Sequence, residues 1–244
     1  MTGTDSANHI GYLETSSGAE PRDVGSSETS SGSQPRGAAS SETSSESQQR
    51  LIHYLAIFIS ISVIAFHVYS MFTTDYNIRV DLPLYLCSFL AIFIPVFTHY
   101  RKYWMFEILV FWIIAGTLQG VITPDIAEGF PNLDYFRYWI VHLGLLIVVF
   151  YNIFVFKLKL KFKSVFKSFL ALQFYVLMIM GINYILDANY FYLNAKPESA
   201  SLLDYFGNWP YYIIVAQLII IPLFILVYLP FYISEEKKKK SLSK

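Results

Sequence analysis

Cysteine is almost absent from this chain: Cys87 is the only one among 244 residues. A single thiol excludes an internal disulfide, so the fold does not depend on a disulfide framework. Residues 1–50 also lack a basic start followed by an apolar run, and we expect no signal peptide there. Net charge is missing too, since 18 basic side chains balance 18 acidic ones. Apolar and aromatic residues, at 55% and 18%, are instead more abundant than in soluble domains.

The first fifty residues contain few apolar side chains and repeat themselves. A 14-residue unit that begins ETSSG starts at Glu14 and again at Glu28, and a partial copy starts at Glu42. The unit has no apolar face to bury, so it predicts neither a solenoid nor a packed domain. We expect residues 1–50 to form a disordered, low-complexity tail that is dispensable for folding.

From Leu51 onwards the sequence contains six apolar runs of about 20 residues, the length at which a helix crosses roughly 30 Å of hydrocarbon. None alternates with a period of two, which excludes barrel strands. The predicted fold class is therefore all-α, a polytopic membrane protein with a six-transmembrane-helix bundle and a basic tail at 234–244. The predicted spans are 51–72, 82–100, 104–123, 138–156, 168–186 and 210–233.

The loops between these runs alternate in charge, which predicts their orientation. Alternate loops carry most of the basic residues, while the remaining loops carry mostly Asp and Glu. Because basic loops stay on the cytoplasmic side, we predict a multi-pass cell-membrane protein with both termini in the cytoplasm. The loop from Lys157 to Lys167 is expected to contact anionic lipid heads and not nucleic acid.

Five of the predicted spans place one polar side chain at a common depth, which is the strongest functional signal in the sequence. Each lies three to five residues from the outer end of its span, or roughly 5–8 Å below the membrane surface. A lone polar residue in a span often only bonds a neighbouring helix, but ionisable groups there tend to line a cavity. The five residues are His67, Cys87, Gln119, His142 and Asn183.

Cys87 and His142 are the pair with the clearest chemistry. An imidazole that takes the proton of a thiol allows the thiolate to attack an acyl carbonyl. We expect Cys87 Sγ within about 3–5 Å of a ring nitrogen of His142, in an outward-opening cavity. A phospholipid or lysolipid is the expected substrate, because its ester bonds lie at this depth, and no cofactor or metal is expected. Candidate binding or oxyanion groups are His67, Gln119, Asn183, Asn208 and Trp209, of which the last two are expected to cap the cavity.

Several ordered motifs resemble the YwaF family of bacterial integral membrane proteins. The motifs are LPLYLCS at Leu82, GTLQGVITPD at Gly116, FP at Phe130, VHLG at Val141 and GINYILDANYFYLNAKPESASLLDYFGNWPYYI from Gly181. The resemblance covers the second to sixth spans. It implies kinship with eukaryotic transmembrane acyltransferases that move polyunsaturated acyl chains onto ether phospholipids, and more remotely with hydrolases of fatty-acid esters of hydroxy fatty acids. In the acyltransferases an essential Cys and His match Cys87 and His142, whereas Tyr85 stands where a His is expected.

Two other interpretations compete with a lipid acyltransferase or ester hydrolase. The polar ring is also compatible with a non-catalytic transporter or small-solute-binding protein, although the spans show no clear inverted repeat. A metal or haem site formed by Cys87, His67 and His142 is weaker, because no ligand spacing such as HExxH is present. Glu107, near the opposite end of its span, is expected to snorkel or to pair beside Arg101 and Lys102.

Overall fold

The computed structural model describes residues 36–124, 126, 129–197 and 201–242, and within them every regular element is helical. This confirms the predicted all-α, polytopic architecture. Five helices are long and apolar enough to cross a membrane, and a sixth, Leu86–Tyr100, is shorter. The helices are α1 (Arg36–Thr73), α2 (Leu86–Tyr100), α3 (Tyr103–Trp112), α4 (Leu118–Ile122), α5 (Leu133–Phe154), α6 (Phe162–Leu186) and α7 (Tyr211–Leu242).

A π-helical turn, Ile113–Thr117, joins α3 to α4, so these elements form one continuous helix from Tyr103 to Ile122. A π-helical turn contains one residue more than the α-helical turn it replaces. The side chains after it are therefore rotated relative to those before it. Two short 3₁₀ helices, Tyr190–Tyr192 and Leu202–Phe206, lie in the connection between α6 and α7.

Helix α1 begins earlier than the apolar pattern predicts. It includes residues 36–50, which the sequence analysis assigns to the N-terminal tail. Extending a helix that is already nucleated costs far less than starting one, so the apolar part of α1 supports further turns. The rest of the predicted tail, residues 1–35, lies outside the described residues.

Helix α2 begins four residues later than predicted, at Leu86. Pro83 disfavours a helical conformation at Leu82, and Tyr85 is extended with φ −70° and ψ 144°. Fifteen helical residues rise about 22 Å. The helix alone is therefore shorter than a bilayer core of roughly 30 Å. Before it the chain bends, and the amide of Leu84 donates to the carbonyl of Leu82 at 2.7 Å.

The core forms where α1 packs on α2 and α5, and where α3 packs on α6. Gly144 of α5 permits the close approach to α1, because a Cβ there would lie 2.6 Å from Cδ1 of Ile59. Small residues at such crossings are usual in membrane bundles. Helix α7 is less enclosed: its buried residues are Tyr212 and Phe224, the latter packed on Phe111 with ring centroids 5.0 Å apart.

The carboxylate of Glu107 links α3 to α6 at the end of the bundle away from Cys87. The side chain is 1% exposed; Oε1 accepts a hydrogen bond from Ser164 Oγ at 2.6 Å, and Oε2 accepts one from Lys167 Nζ at 2.9 Å. Its basic partner is therefore Lys167 and not Arg101 or Lys102. A buried carboxylate is stable when it is both paired and hydrogen-bonded in this way.

Candidate functional site

Cys87 is the second residue of α2, after the non-helical residues 82–85 and Leu86, and not one full turn inside the helix as the sequence predicts. Two tyrosine hydroxyls hold this non-helical stretch. The amide of Leu82 donates to Tyr190 Oη at 2.9 Å, and Tyr175 Oη donates to the carbonyl of Leu84 at 2.6 Å. The start of α2, and with it the thiol, is thereby positioned by α6 and by the loop that follows α6.

The thiol of Cys87 contacts the end of the π-helical turn. Its Sγ lies 3.5 Å from Oγ1 of Thr117, a fully buried residue, and Cys87 itself is partly buried. The neighbouring Gly116 allows this approach, since a Cβ there would lie 3.2 Å from Cδ2 of Leu86. Functional sites often coincide with π-helical turns, because the extra residue redirects the adjacent side chains.

His142 contacts the same helix one turn further along, at Gly120. Its ring stacks on that of Tyr138 with centroids 3.9 Å apart, and the Tyr138 hydroxyl donates to the carbonyl of Gly120 at 2.7 Å. A Cβ on Gly120 would lie 2.7 Å from Nε2 of His142. Only glycine leaves room for the imidazole at this position.

The hydrogen bond of His142 defines which ring nitrogen carries the proton. Nδ1 lies 2.7 Å from the carbonyl oxygen of Tyr138. A carbonyl oxygen only accepts, so Nδ1 is the protonated nitrogen and Nε2 of the neutral ring carries the lone pair. Among the described residues, none forms a hydrogen bond with Nε2. The imidazole is therefore oriented as a proton acceptor.

Cys87 and His142 are brought to adjacent positions of one helix, Thr117 and Gly120. Residues at this spacing share a helix face, with about 5–6 Å between their Cβ positions. The expected separation of about 3–5 Å between Cys87 Sγ and a ring nitrogen of His142 stays a prediction. Sγ bonds to Thr117 and Nδ1 bonds to the carbonyl of Tyr138, so Nε2 is the ring nitrogen available to the thiol.

The backbone amides at the start of α2 are hydrogen-bond donors on the same helical turn as the thiol. Leu86, Cys87 and Ser88 form the first turn of α2, where no intrahelical acceptor exists for the N–H groups. The amide of Phe89 is the first to bond back, to the carbonyl of Tyr85 at 2.9 Å. Free amides at a helix start favour negative charge, as on a thiolate or an oxyanion.

Gln119 and Asn183 do not reach this site. Gln119 is exposed, on a different side of the helix from Thr117. Asn183 is buried, but its side chain clamps the loop after α6: Nδ2 donates to the carbonyl of Tyr190 at 2.9 Å, and Oδ1 accepts from the Tyr190 amide at 2.8 Å. Its role in the structure is to hold Tyr190, which in turn holds Leu82.

Asn208 and Trp209 form no hydrogen bond with the thiol or the imidazole among the described residues. Asn208 is exposed, and the indole Nε1 of Trp209 donates to the carbonyl of Leu193 at 3.2 Å. Neither residue lines the cavity described next.

A cavity of about 520 Å³ opens beside Cys87, between the end of α1, the loop after it and the start of α5. Tyr85 and Ser88, on either side of Cys87, line this cavity, whereas Cys87 and His142 do not. Of the predicted site residues only His67 lines it. Both ring nitrogens of His67 are buried without a hydrogen-bond partner among the described residues. This cavity therefore does not unite the five residues expected from depth.

The charged side chains of the cavity come from the first turns of α5, which carry Asp134 and Arg137, and from the loop after α1, which carries Asp81. Nε of Arg137 donates to Asp134 at 2.9 Å, and the guanidinium lies 4.5 Å from the ring centroid of Phe66. The hydroxyl of Tyr76 donates to the carbonyl of Asp81 at 3.1 Å, and burial, followed by the Asp81 carboxylate, raises the pKa of Tyr76. The sequence analysis used these loop charges only for orientation and missed their role in the cavity.

The sequence analysis also missed the residues of the helix Tyr103–Ile122 that contact Cys87 and His142, although the motif GTLQGVITPD contains a signal for them. Gly116, Thr117 and Gly120 are small residues at positions i, i+1 and i+4, which places them on one side of a helix. Such a face permits other helices to approach closely.

Among the described residues no cluster of three or more metal-ligating side chains is found, so a metal site at Cys87, His67 and His142 has no geometric support.

The apolar helices of this length define a multi-pass helical membrane protein. The sequence model of the TMEM164 family matches residues 34–228, and the chain belongs to the TMEM164 family. No curated protein and no solved structure gives a significant match. The resemblance to the YwaF family is not addressed by these comparisons and stays a prediction.

Proposed function

We propose that this protein is a lipid acyltransferase or ester hydrolase in which Cys87 is the nucleophile and His142 the base. The observation that carries the proposal is that both side chains contact one turn of the helix Tyr103–Ile122, at Thr117 and Gly120. The orientation of His142, with Nε2 as the acceptor, supports the role of base.

The reaction follows from these groups. Nε2 of His142 takes the thiol proton, and the thiolate of Cys87 adds to the acyl carbonyl of a lipid ester. First-turn amides of α2 stabilise the oxyanion. When the tetrahedral adduct collapses, the ester C–O bond breaks, the leaving alkoxide takes the proton from His142, and an acyl thioester remains on Cys87. A lysolipid hydroxyl or water then gives its proton to His142 and attacks the thioester, which releases the acyl chain and restores the thiol.

A lipid substrate and an outer-leaflet site are supported by where the thiol lies. Cys87 is at the end of the bundle that carries the acidic loops, and the opposite end carries the lysines from Lys157 to Lys167. With basic loops in the cytoplasm, both termini are cytoplasmic and Cys87 lies below the outer surface of the cell membrane. Reporter fusions at residue 163 and at residue 196 test this orientation; a reporter outside the cell at 163 would contradict it.

The chemistry is tested by labelling the purified chain with a lipid-like, thiol-reactive acyl probe. Cys87→Ser should abolish labelling. His142→Ala should lower its rate by about 10²–10⁴-fold at neutral pH, because the base contributes that much to proton transfer. Ser62→Ala removes a hydroxyl that bonds only to its own helix, through Phe58, and serves as the matched control with unchanged labelling.

The folding of each variant must also be measured, because labelling is lost both when a variant misfolds and when it lacks a reactive group. Each variant should retain the elution volume and thermal midpoint of the wild-type protein. A well-folded His142→Ala variant that is labelled and turns over lipid at the wild-type rate would refute the assignment of the base.

The cavity favours a second candidate, a protein that binds a small polar solute without catalysis. The observation is that His67, with both ring nitrogens unbonded, lines a cavity that excludes Cys87 and His142. Unsatisfied buried polar groups normally find a partner, here a ligand or water. In this case His67→Ala should weaken binding or transport of the solute, whereas Cys87→Ser should leave it unchanged.

A further inference from the structure

At the end of the bundle away from Cys87, α1 and α2 enclose a second groove that the acyl chemistry does not use. Its volume is about 280 Å³. It lies beside Arg50, the last residue before the apolar part of α1, and at the final turn of α2. The side chains that matter for its chemistry are Glu46, Arg50, His53, Thr98, His99 and Arg101.

Two guanidinium groups of the groove have no acidic partner. Neither Arg50 nor Arg101 forms an ion pair with any of the described residues, and the carboxylate of Glu46 in the same groove is not paired with them. The groove therefore carries net positive charge even when both of its imidazoles are neutral.

The two imidazoles are held next to each other. Thr98 Oγ1 donates to the carbonyl of Pro95 at 3.1 Å, so it accepts from Nδ1–H of His53 at 2.8 Å. This leaves Nε2 of His53 without a partner among the described residues. The ring of His99 lies 5.8 Å from that of His53 between centroids. On protonation, each ring offers a further N–H donor to an anion.

Arg101 stands at an unusual position for an arginine. It caps α2 in the left-handed conformation, with φ 47°, and its amide donates to the carbonyl of Phe97 at 2.7 Å. Glycine or asparagine is the usual residue at this point of a helix. A side chain in this conformation costs free energy and is a reason to look for a function of the guanidinium.

We infer that this groove binds a phosphate-bearing anion of the phosphomonoester class. Arginine forks match the oxygens of phosphate bidentately, and protonated imidazoles add charge-assisted hydrogen bonds. The groove lies where the apolar spans end, which is the level of lipid phosphates, so the anion is either the head group of a membrane lipid or a soluble phosphate. The inference does not depend on the proposed acyl chemistry.

Two probes distinguish the sources with the full-length chain in detergent. Inorganic phosphate is titrated alone, and phosphatidate is titrated against phosphatidylcholine in mixed micelles, with binding followed by native mass spectrometry and thermal shift. We expect saturable binding of at least one probe. Phosphatidate alone identifies the lipid as the source, and inorganic phosphate identifies a soluble anion.

Substitutions distinguish a specific anion site from general attraction to a basic surface. Arg50→Gln with Arg101→Gln should weaken binding at least about tenfold, because two charge-assisted contacts are removed. The matched control, Lys159→Gln with Lys163→Gln, removes the same charge from the same end of the bundle and should change binding less than about twofold. Equal losses in both pairs would overturn the inference, as would the absence of saturable binding of either probe.

A lysine pair covers the case in which the glutamine variant misfolds or changes orientation. Arg50→Lys with Arg101→Lys keeps both charges and therefore the orientation signal, but removes the planar fork. Affinity several-fold below wild type supports the bidentate geometry. Wild-type affinity in a folded lysine pair would overturn it.

Discussion

The contact between Gly120 and His142 allows a test of the site that leaves both reactive side chains in place. In Gly120→Ala the new Cβ would lie 2.7 Å from Nε2 and Cδ2 of His142 and 3.0 Å from Oη of Tyr138. The imidazole cannot easily yield, because it stacks on Tyr138 and bonds to its carbonyl. The ring must therefore leave its present position, and acyl-probe turnover should fall by about 10²-fold or more.

The effect on stability should be small by comparison. Alanine is better than glycine in a helix interior by roughly 0.5–1 kcal/mol, whereas overpacking costs about 1–3 kcal/mol. The free energy of unfolding should thus fall by about 0–2 kcal/mol. Gly181→Ala is the matched control: it lies inside α6 with nothing within 4 Å of a built Cβ, so it should gain about 0.5–1 kcal/mol and keep full turnover.

A double-mutant cycle tests the contact between Gly120 and His142 without measuring activity. In a His142→Ala background both 2.7 Å contacts are gone and only the 3.0 Å contact with Oη of Tyr138 remains, so Gly120→Ala should be less destabilising than in the wild type. Reversible unfolding in mixed micelles, followed by circular dichroism, should give a coupling energy of about 1–3 kcal/mol between positions 120 and 142. A coupling energy near zero, with wild-type turnover in Gly120→Ala, would refute the placement of the imidazole against this glycine.

Three further outcomes are expected from contacts elsewhere in the bundle. Asn183→Ala should lower the free energy of unfolding by about 1–3 kcal/mol, because the buried amide and carbonyl of Tyr190 lose their partners; unchanged unfolding would contradict the clamp. Glu107→Ala should cost about 1–3 kcal/mol and Glu107→Gln less, since glutamine still accepts from the neighbouring serine while Lys167 turns to solvent; equal losses would show that charge alone matters. Removal of residues 2–35 should leave membrane accumulation unchanged in an immunoblot of membrane fractions, because the repeat has no apolar face to pack; loss of the protein would contradict this.

The length of the hydrophobic runs predicted the number and approximate positions of the helical segments. It did not predict where an irregular backbone shifts the start of a helix. Six apolar runs became six helical segments, because a chain in lipid must satisfy its backbone internally. The start of α2 was misplaced, because hydropathy does not reveal that the chain around Pro83 bends and becomes helical only at Leu86. The helical stretch 36–50 was missed because its composition is polar, although it continues an existing helix.

For the candidate site, too, the sequence contains only part of the information. Depth along a span placed Cys87 and His142 at one level, but depth contains no information about direction around the helix axis. Successive residues point about 100° apart, so the face that meets His142 carries Gly120, while the adjacent Gln119 is exposed. The π-helical turn rotates the faces further, and no simple periodicity predicts it.

The hydroxyl of Tyr190 has a consequence for how this protein can be recombined with its relatives. It donates to the carbonyl of Ile78 at 2.7 Å and accepts from the amide of Leu82 at 2.9 Å, across more than a hundred residues of chain. Segments 78–85 and 183–190 are therefore joined into one structural unit, although they are distant in the sequence. A chimera that exchanges only one of them separates the thiol-bearing helix from its anchor, whereas exchanging both together preserves it.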